Sequence, residues 1–248
     1  MASARRETVH ADDGQEFDAH VALPPSGRGP GVLLLQEIFG VEEFMESRAA
    51  DLAGLGHVVL CPDVFWRLER NVRLGHDEAD LARAVGLGQR YRDLDPDRST
   101  ADLLSALAAL RGLPEVEGPV AVMGYCLGGR LAYDVAVAGD PDACVSYYGT
   151  GVAGRLDGAA RLTCPTLFHF GGHDARIGRD EVERVEAAFT GRPDVEVHVH
   201  AAGGHAFENF LGPMFSPEAS ATSWPLTVRF LAETLGAGPG RAAAGLQA

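Results

Sequence analysis

The chain contains no lysine: all 21 basic side chains among its 248 residues are arginine. Schiff-base chemistry and a P-loop lysine are thereby excluded. Positive charge is short overall, with 35 acidic side chains against those 21 and a formal net charge of −14. That balance argues against nucleic acid or an anionic membrane surface as a partner. Cysteine is scarce too. Cys61, Cys126, Cys144 and Cys164 show neither Cys-x-x-Cys spacing nor the density of a secreted disulfide framework. No apolar run is long enough to cross a bilayer, and residues 1–8 lack the apolar stretch of a signal peptide. The expected compartment is the cytoplasm. Repeats and composition shifts are missing between residues 8 and 236. One domain over residues 1–236 is therefore expected, followed by an unpatterned tail, 237–248, expected to be disordered.

A hydrophobic fraction of 46% is enough for a full core. Alternation around Thr8–His10 and Phe17–Leu23, joined by Asp12-Asp13-Gly14, predicts an antiparallel hairpin. Continuous apolar runs at residues 31–35, 57–61, 119–123, 144–148 and 165–170 read as strands buried on both faces, with another strand at 195–199. Helical spacing is predicted at 44–55, 77–92, about 99–110 with Ser99 or Thr100 as its cap, 178–190 and 219–235. The alternation implies a mainly parallel sheet with helices on both faces. About fifteen residues follow Gly149 before the next strand, too few for a large lid domain, so an open cleft and a small substrate are expected.

Gly124-Tyr125-Cys126-Leu127-Gly128-Gly129 lies between an apolar run and a helix-like stretch. Strand, sharp glycine turn and helix are the context of a nucleophile elbow, here with cysteine in the serine position of G-x-S-x-G. Gly171-Gly172-His173-Asp174 and Gly203-Gly204-His205 follow, giving the order nucleophile, acid, histidine of the α/β-hydrolase fold. Cys126 is the candidate nucleophile, His205 the general base and Asp174 the group that holds its imidazole. Glu37, in the loop after the strand at 31–35, is a candidate second proton acceptor for the thiol. The backbone N–H groups of Ile38 and Leu127 are the candidate oxyanion-hole donors. All these residues should meet beyond the carboxyl ends of the strands.

Two rival readings exist. Cys126 could sense oxidants in a non-catalytic protein of the same fold, although an oriented acid and base would then be superfluous. His169, His173, His198, His200 and His205 could bind zinc, but at no recognised ligand spacing. Val195, Val197 and Val199 read as the inward face of their strand, so His198 and His200 are expected to point to solvent. No metal or other cofactor is expected.

Gln36-Glu37-Ile38-Phe39-Gly40, Pro62-Asp63-Val64-Phe65, the Tyr-Cys-Leu-Gly-Gly elbow, Gly171–Asp174 and Gly204-His205-Ala206-Phe207 together resemble the dienelactone hydrolase (carboxymethylenebutenolidase) family over roughly residues 8–235. The resemblance implies a Cys126–His205–Asp174 triad with Glu37 modulating the thiol, and ring opening of an unsaturated lactone in catechol breakdown. A general small-ester carboxylesterase is the neighbouring alternative. The partner is a small-molecule lactone or ester, and the chain is expected to be a monomer or small homo-oligomer. Dienelactone-specific members carry an arginine where this chain has Asn209, and a second where the ungapped match falls on Ala84, near Arg83 and Arg90. Phe39, Arg83, Arg90 and Asn209 are thus the candidate substrate contacts.

Overall fold

The computed structural model describes residues 3–236, and the expectation for 237–248 falls outside them. The opening hairpin pairs β1 (Ser3–His10) with β2 (Glu16–Leu23), turned by Gly14 at φ 81°. Then come β3 (Gly29–Leu35), α1 (Glu43–Gly54), β4 (Val58–Pro62), α2 (Glu78–Arg92) and α3 (Pro96–Gly112). β5 (Val116–Tyr125) leads through the elbow into α4 (Leu127–Ala138), followed by β6 (Ala143–Tyr147). β7 (Thr166–Gly171), α5 (Arg179–Ala188), β8 (Val195–His200) and α6 (Pro217–Leu235) complete the described residues. Residues 148–165, where a lid could have been inserted, hold only two short 3-10 turns.

The eight strands form one sheet in the order β1-β2-β4-β3-β5-β6-β7-β8. Pairing is antiparallel through β2–β4 and parallel from β4 to β8. This is the α/β-hydrolase architecture. The central strands have no exposed side at Val32–Leu35, Val58–Cys61 or Ala121–Met123, which explains why they read as unbroken apolar runs. On one face α1 and α6 meet through Arg48, which lies over the Trp224 ring and within 3.3 Å of the Glu208 carboxylate. α3, α4 and α5 cover the other face, where Tyr133, Phe168 and Phe189 pack together.

Two local expectations are corrected. α3 starts at Pro96 with Asp95 as its cap, a turn earlier than Ser99, because proline fits the first helical position and the Asp95 carboxylate accepts from the Asp97 N–H. His200 does not point to solvent. On β8 the residues beside His169 are His198 and His200, which share its face under α6, while Val199 is 36% exposed. Valine alternation on an edge strand marks one packed face and cannot show that a helix covers the other.

Candidate active site

The parallel register aligns Leu35, Gly124, Ser146 and Phe168 across four strands, so the segments after β3, β5, β6 and β7 leave the sheet along one rim. Cys126 sits at the elbow with φ 53° and ψ −112°, a strained backbone for a non-glycine residue. The flanking glycines make the turn possible. A Cβ at Gly124 would lie 2.1 Å from the Gly128 carbonyl oxygen, and one at Gly128 would lie 2.2 Å from that of Leu35. The helix α4 then begins at the very next residue, directing its positive end toward the sulfur.

His205 Nε2 lies 3.0 Å from Cys126 Sγ, and Nδ1 lies 2.9 Å from Asp174 Oδ2. A carboxylate only accepts, so Nδ1 carries the proton and Nε2 faces the sulfur. Asp174 is itself fixed, its Oδ1 accepting from the backbone N–H groups of Arg176 and Ile177. Burial works against a charged imidazole, but the negative sulfur of Cys126 and the hydrogen bonds to Asp174 and Cys126 outweigh it. Together they push His205 up to about 10. The ring is braced edge-on by Tyr148, 5.4 Å away, a buried residue at φ 35°.

The loop after β3 is held by Gln36, whose Oε1 accepts from the Val64 N–H and whose Nε2 donates to the Glu37 carbonyl. This contact gives the Pro62-Asp63-Val64-Phe65 segment its place in the site. Neither Ile38 nor Leu127 spends its backbone N–H on a protein acceptor among the described residues, and both residues line the same cavity as Cys126. Glu37 is buried, which raises its carboxyl above the ordinary range although a hydrogen bond from Asn209 opposes the rise. Its Oε2 accepts from Asn209 Nδ2 at 2.7 Å, and its Oε1 has no partner among the described residues.

These groups open onto a cavity of about 240 Å³ whose walls include Glu37, Phe39, Cys126, Arg92, Arg176 and His205. Phe39 is thus placed where a substrate would touch it. Three sequence candidates are not. Asn209 is buried behind Glu37 and lines no part of the cavity. Arg83 and Arg90 are exposed, and Arg83 pairs with Glu69. The reason is helical phase: Leu81, Val85, Gly88 and Arg92 form the stripe of α2 that faces the cavity. At about 100° per residue, Arg83 and Arg90 fall on the opposite side. The cavity's own cations, Arg92 and Arg176, were missed in the sequence. The stripe on α2 would have found Arg92, whereas no pattern marks Arg176.

The histidine cluster is committed elsewhere. His169 Nδ1 and His200 Nε2 are 2.9 Å apart, and their outer nitrogens bond to Thr227 and Thr222. Among the described residues no group of three or more His, Cys, Asp or Glu has metal-holding geometry, and no helix is long and apolar enough to cross a membrane.

Comparison with known proteins identifies the family. The model of the dienelactone hydrolase family matches residues 17–235. The carboxymethylenebutenolidase of Pseudomonas sp. (strain P51) is 40% identical across 90% of this chain and 93% of its own length. Carboxymethylenebutenolidase 1 of Cupriavidus pinatubonensis (strain JMP 134 / LMG 1197) is 32% identical across 90% and 94%. Among solved structures, a dienelactone hydrolase-like promiscuous phosphotriesterase from metagenomic libraries superposes with a TM-score of 0.79 at 25% identity, over 95% of this chain and 99% of that one. The chain belongs to the dienelactone hydrolase family.

Proposed function

We propose that this chain opens a small lactone, dienelactone being the first candidate, or cleaves a small ester, through a thioester on Cys126. It is an ester- or lactone-hydrolysing enzyme, as its relatives named carboxymethylenebutenolidase are. The observation that carries the catalytic reading is the 3.0 Å contact of Cys126 Sγ with His205 Nε2 on the wall of the cavity.

The thiolate attacks the carbonyl carbon and the carbonyl oxygen takes up the negative charge. The free N–H groups of Ile38 and Leu127 suit that oxyanion, a charge present only in the transition state and intermediate. As the C–O bond breaks, the His205 imidazolium gives its Nε2 proton to the leaving oxygen, which in a lactone stays attached to the acyl group. Neutral His205 then takes a proton from water, the hydroxide attacks the thioester, and the acid leaves as the thiolate is regenerated. Asp174 stabilises the cation that His205 becomes in each half-reaction. Glu37, on the cavity wall with its carboxyl raised by burial, serves as a second acceptor for the proton that Cys126 gives up as it becomes the thiolate. Residues up to 236 act as one catalytic unit, and the four free thiols suit a reducing compartment such as the cytoplasm.

The test is turnover of dienelactone and of phenyl acetate by wild type and Cys126→Ala under metal-free conditions. The proposal expects turnover of at least one, abolished by the substitution, with a burst of phenol when acylation outpaces hydrolysis. Activity that survives Cys126→Ala would overturn it.

A further inference from the structure

Next to the catalytic cavity lies a second one of about 250 Å³, bounded by the end of α2, the start of α3 and the first turn of α4. Arg92 and Thr150 belong to the walls of both cavities, so the two adjoin through these side chains. Arg130 and Arg155 line the second cavity, with Asp134 as its one lining carboxylate among the described residues. Asp134 is shared: its Oδ2 accepts from Arg130 Nη1 at 3.0 Å and its Oδ1 from Arg155 Nε at 2.9 Å. Each guanidinium has five N–H donors and spends one on that carboxylate. Arg92 meets no carboxylate at all among the described residues, although most arginines of the chain do.

The wall therefore holds three cations against one anion in a protein whose net charge is −14. A surplus of positive charge in a concave, partly enclosed place is what an anionic group needs. Guanidinium forks match carboxylate and phosphate oxygens two at a time. Arg130 also stands four residues after Cys126 on the helix that the elbow starts, about 6 Å further along its axis. An arm of a molecule acylating Cys126 that passes the shared Arg92 and Thr150 enters the cavity that Arg130 lines.

We propose that this side cavity is an oxyanion-binding subsite, and that it holds a carboxylate or phosphate on the substrate at a distance from the bond being cleaved. The inference rests on the hydrolase reading of Cys126 and extends it. The catalytic cavity alone fits a small lactone or ester; with its neighbour it fits a longer, anionic one.

The experiment compares phenyl acetate with three anionic esters, 4-acetoxybenzoate, monophenyl glutarate and 4-acetoxyphenyl phosphate, in wild type, Arg92→Gln and Arg130→Gln. Arg92 is exposed and unpaired, and Arg155 still holds Asp134 when Arg130 is changed; folding of both variants is checked by near-ultraviolet circular dichroism. For each anionic ester the quantity read is its kcat/KM relative to phenyl acetate, so that intrinsic reactivity cancels between proteins. We expect at least one ratio to fall about tenfold in each variant, through KM, as for loss of a hydrogen bond to a charged group. Which ester responds identifies carboxylate or phosphate. Ratios equal in all three proteins overturn the subsite. If no ester is turned over, the catalytic reading fails instead, and calorimetry with glutarate and inorganic phosphate decides the subsite. Binding weakened about tenfold in Arg130→Gln upholds it, and no detectable binding, or equal binding, overturns it.

Discussion

Asn209 can only give a hydrogen bond to Glu37. Its Oδ1 is committed to the Leu211 N–H at 3.0 Å, which turns its Nδ2 onto Glu37 Oε2 at 2.7 Å. An uncharged donor thus stands where dienelactone-specific relatives were expected to carry a guanidinium, and it restrains the Glu37 carboxyl without neutralising it. Asn209→Leu should push that carboxyl further above its ordinary range, since the largest of the contacts that favour the carboxylate is lost while burial remains. The titration of Glu37, followed by carbon NMR of labelled glutamate, reads the shift. Stability should fall by about 1–3 kcal/mol for the stranded oxygen, and Glu37→Leu in the same chain should recover most of it. Urea unfolding of the two single variants and the double variant measures this; additive losses would show that the pair is not coupled.

His205 is held near 10 against burial chiefly by the negative sulfur beside it. Cys126→Ala removes that charge and leaves burial in place, so the imidazole must titrate at lower pH than in the wild type. Asp174 still favours the cation, so the shift is a part of the total. Nitrogen NMR of the ring, titrated in both proteins, tests it. An unchanged His205 would mean that Asp174 alone sets its protonation.

Much of this site was legible because elbows and strand ends obey local rules. Gly124 and Gly128 flank Cys126 where any Cβ would strike backbone, and that requirement is written in two letters of sequence. The buried strands announced themselves by their unbroken apolar runs. What stayed hidden depends on which face a residue takes in three dimensions. Arg83 and Arg92 are nine residues apart on α2, and half a turn of phase decides that only Arg92 meets the cavity. His200 was assigned to solvent because nothing in β8 itself reveals that α6 lies over it. Asn209 was legible as a departure from a motif, but its partner Glu37 is 172 residues away in the chain.

Glu42 offers a stability test away from the chemistry. It caps α1, its Oε2 accepting from the Phe44 N–H, while its buried Oε1 has no partner among the described residues. Burial lifts its carboxyl from 4.5 to about 7, with the nearby Glu37 adding to the rise. A raised folded-state value means that the folded protein holds a proton the unfolded chain has released. The associated stability is full below about pH 4.5 and is lost as pH rises through about 7. Glu42→Gln keeps an acceptor oxygen for the cap and removes the charge. It should be nearly neutral toward stability below about pH 4.5 and stabilising above about pH 7, by at most about 3 kcal/mol. Thermal unfolding on both sides of the window would refute this if the gain were the same at each.

Gly88 ties helix phase to catalysis. It lies on the cavity-facing stripe of α2, and a Cβ there would sit 2.9 Å from Ile38 Cγ2. Alanine is favoured over glycine inside a helix by about 1 kcal/mol, which offsets part of the strain, so Gly88→Ala should change stability by no more than about 1 kcal/mol. Its effect should appear in turnover. Ile38 must give way, and with it moves the loop that carries the proposed oxyanion donor. Loss of a complete oxyanion donor costs about a hundredfold or more, and a displaced one less, so kcat on phenyl acetate should drop about tenfold with little change in KM. Ile38→Ala removes the methyl group that the new Cβ meets and leaves the backbone donor intact. The double variant should therefore recover most of the lost kcat, an outcome expected only if α2 acts on the reaction through Ile38. A single variant that loses stability and activity together, without that recovery, would assign Gly88 to helix packing alone.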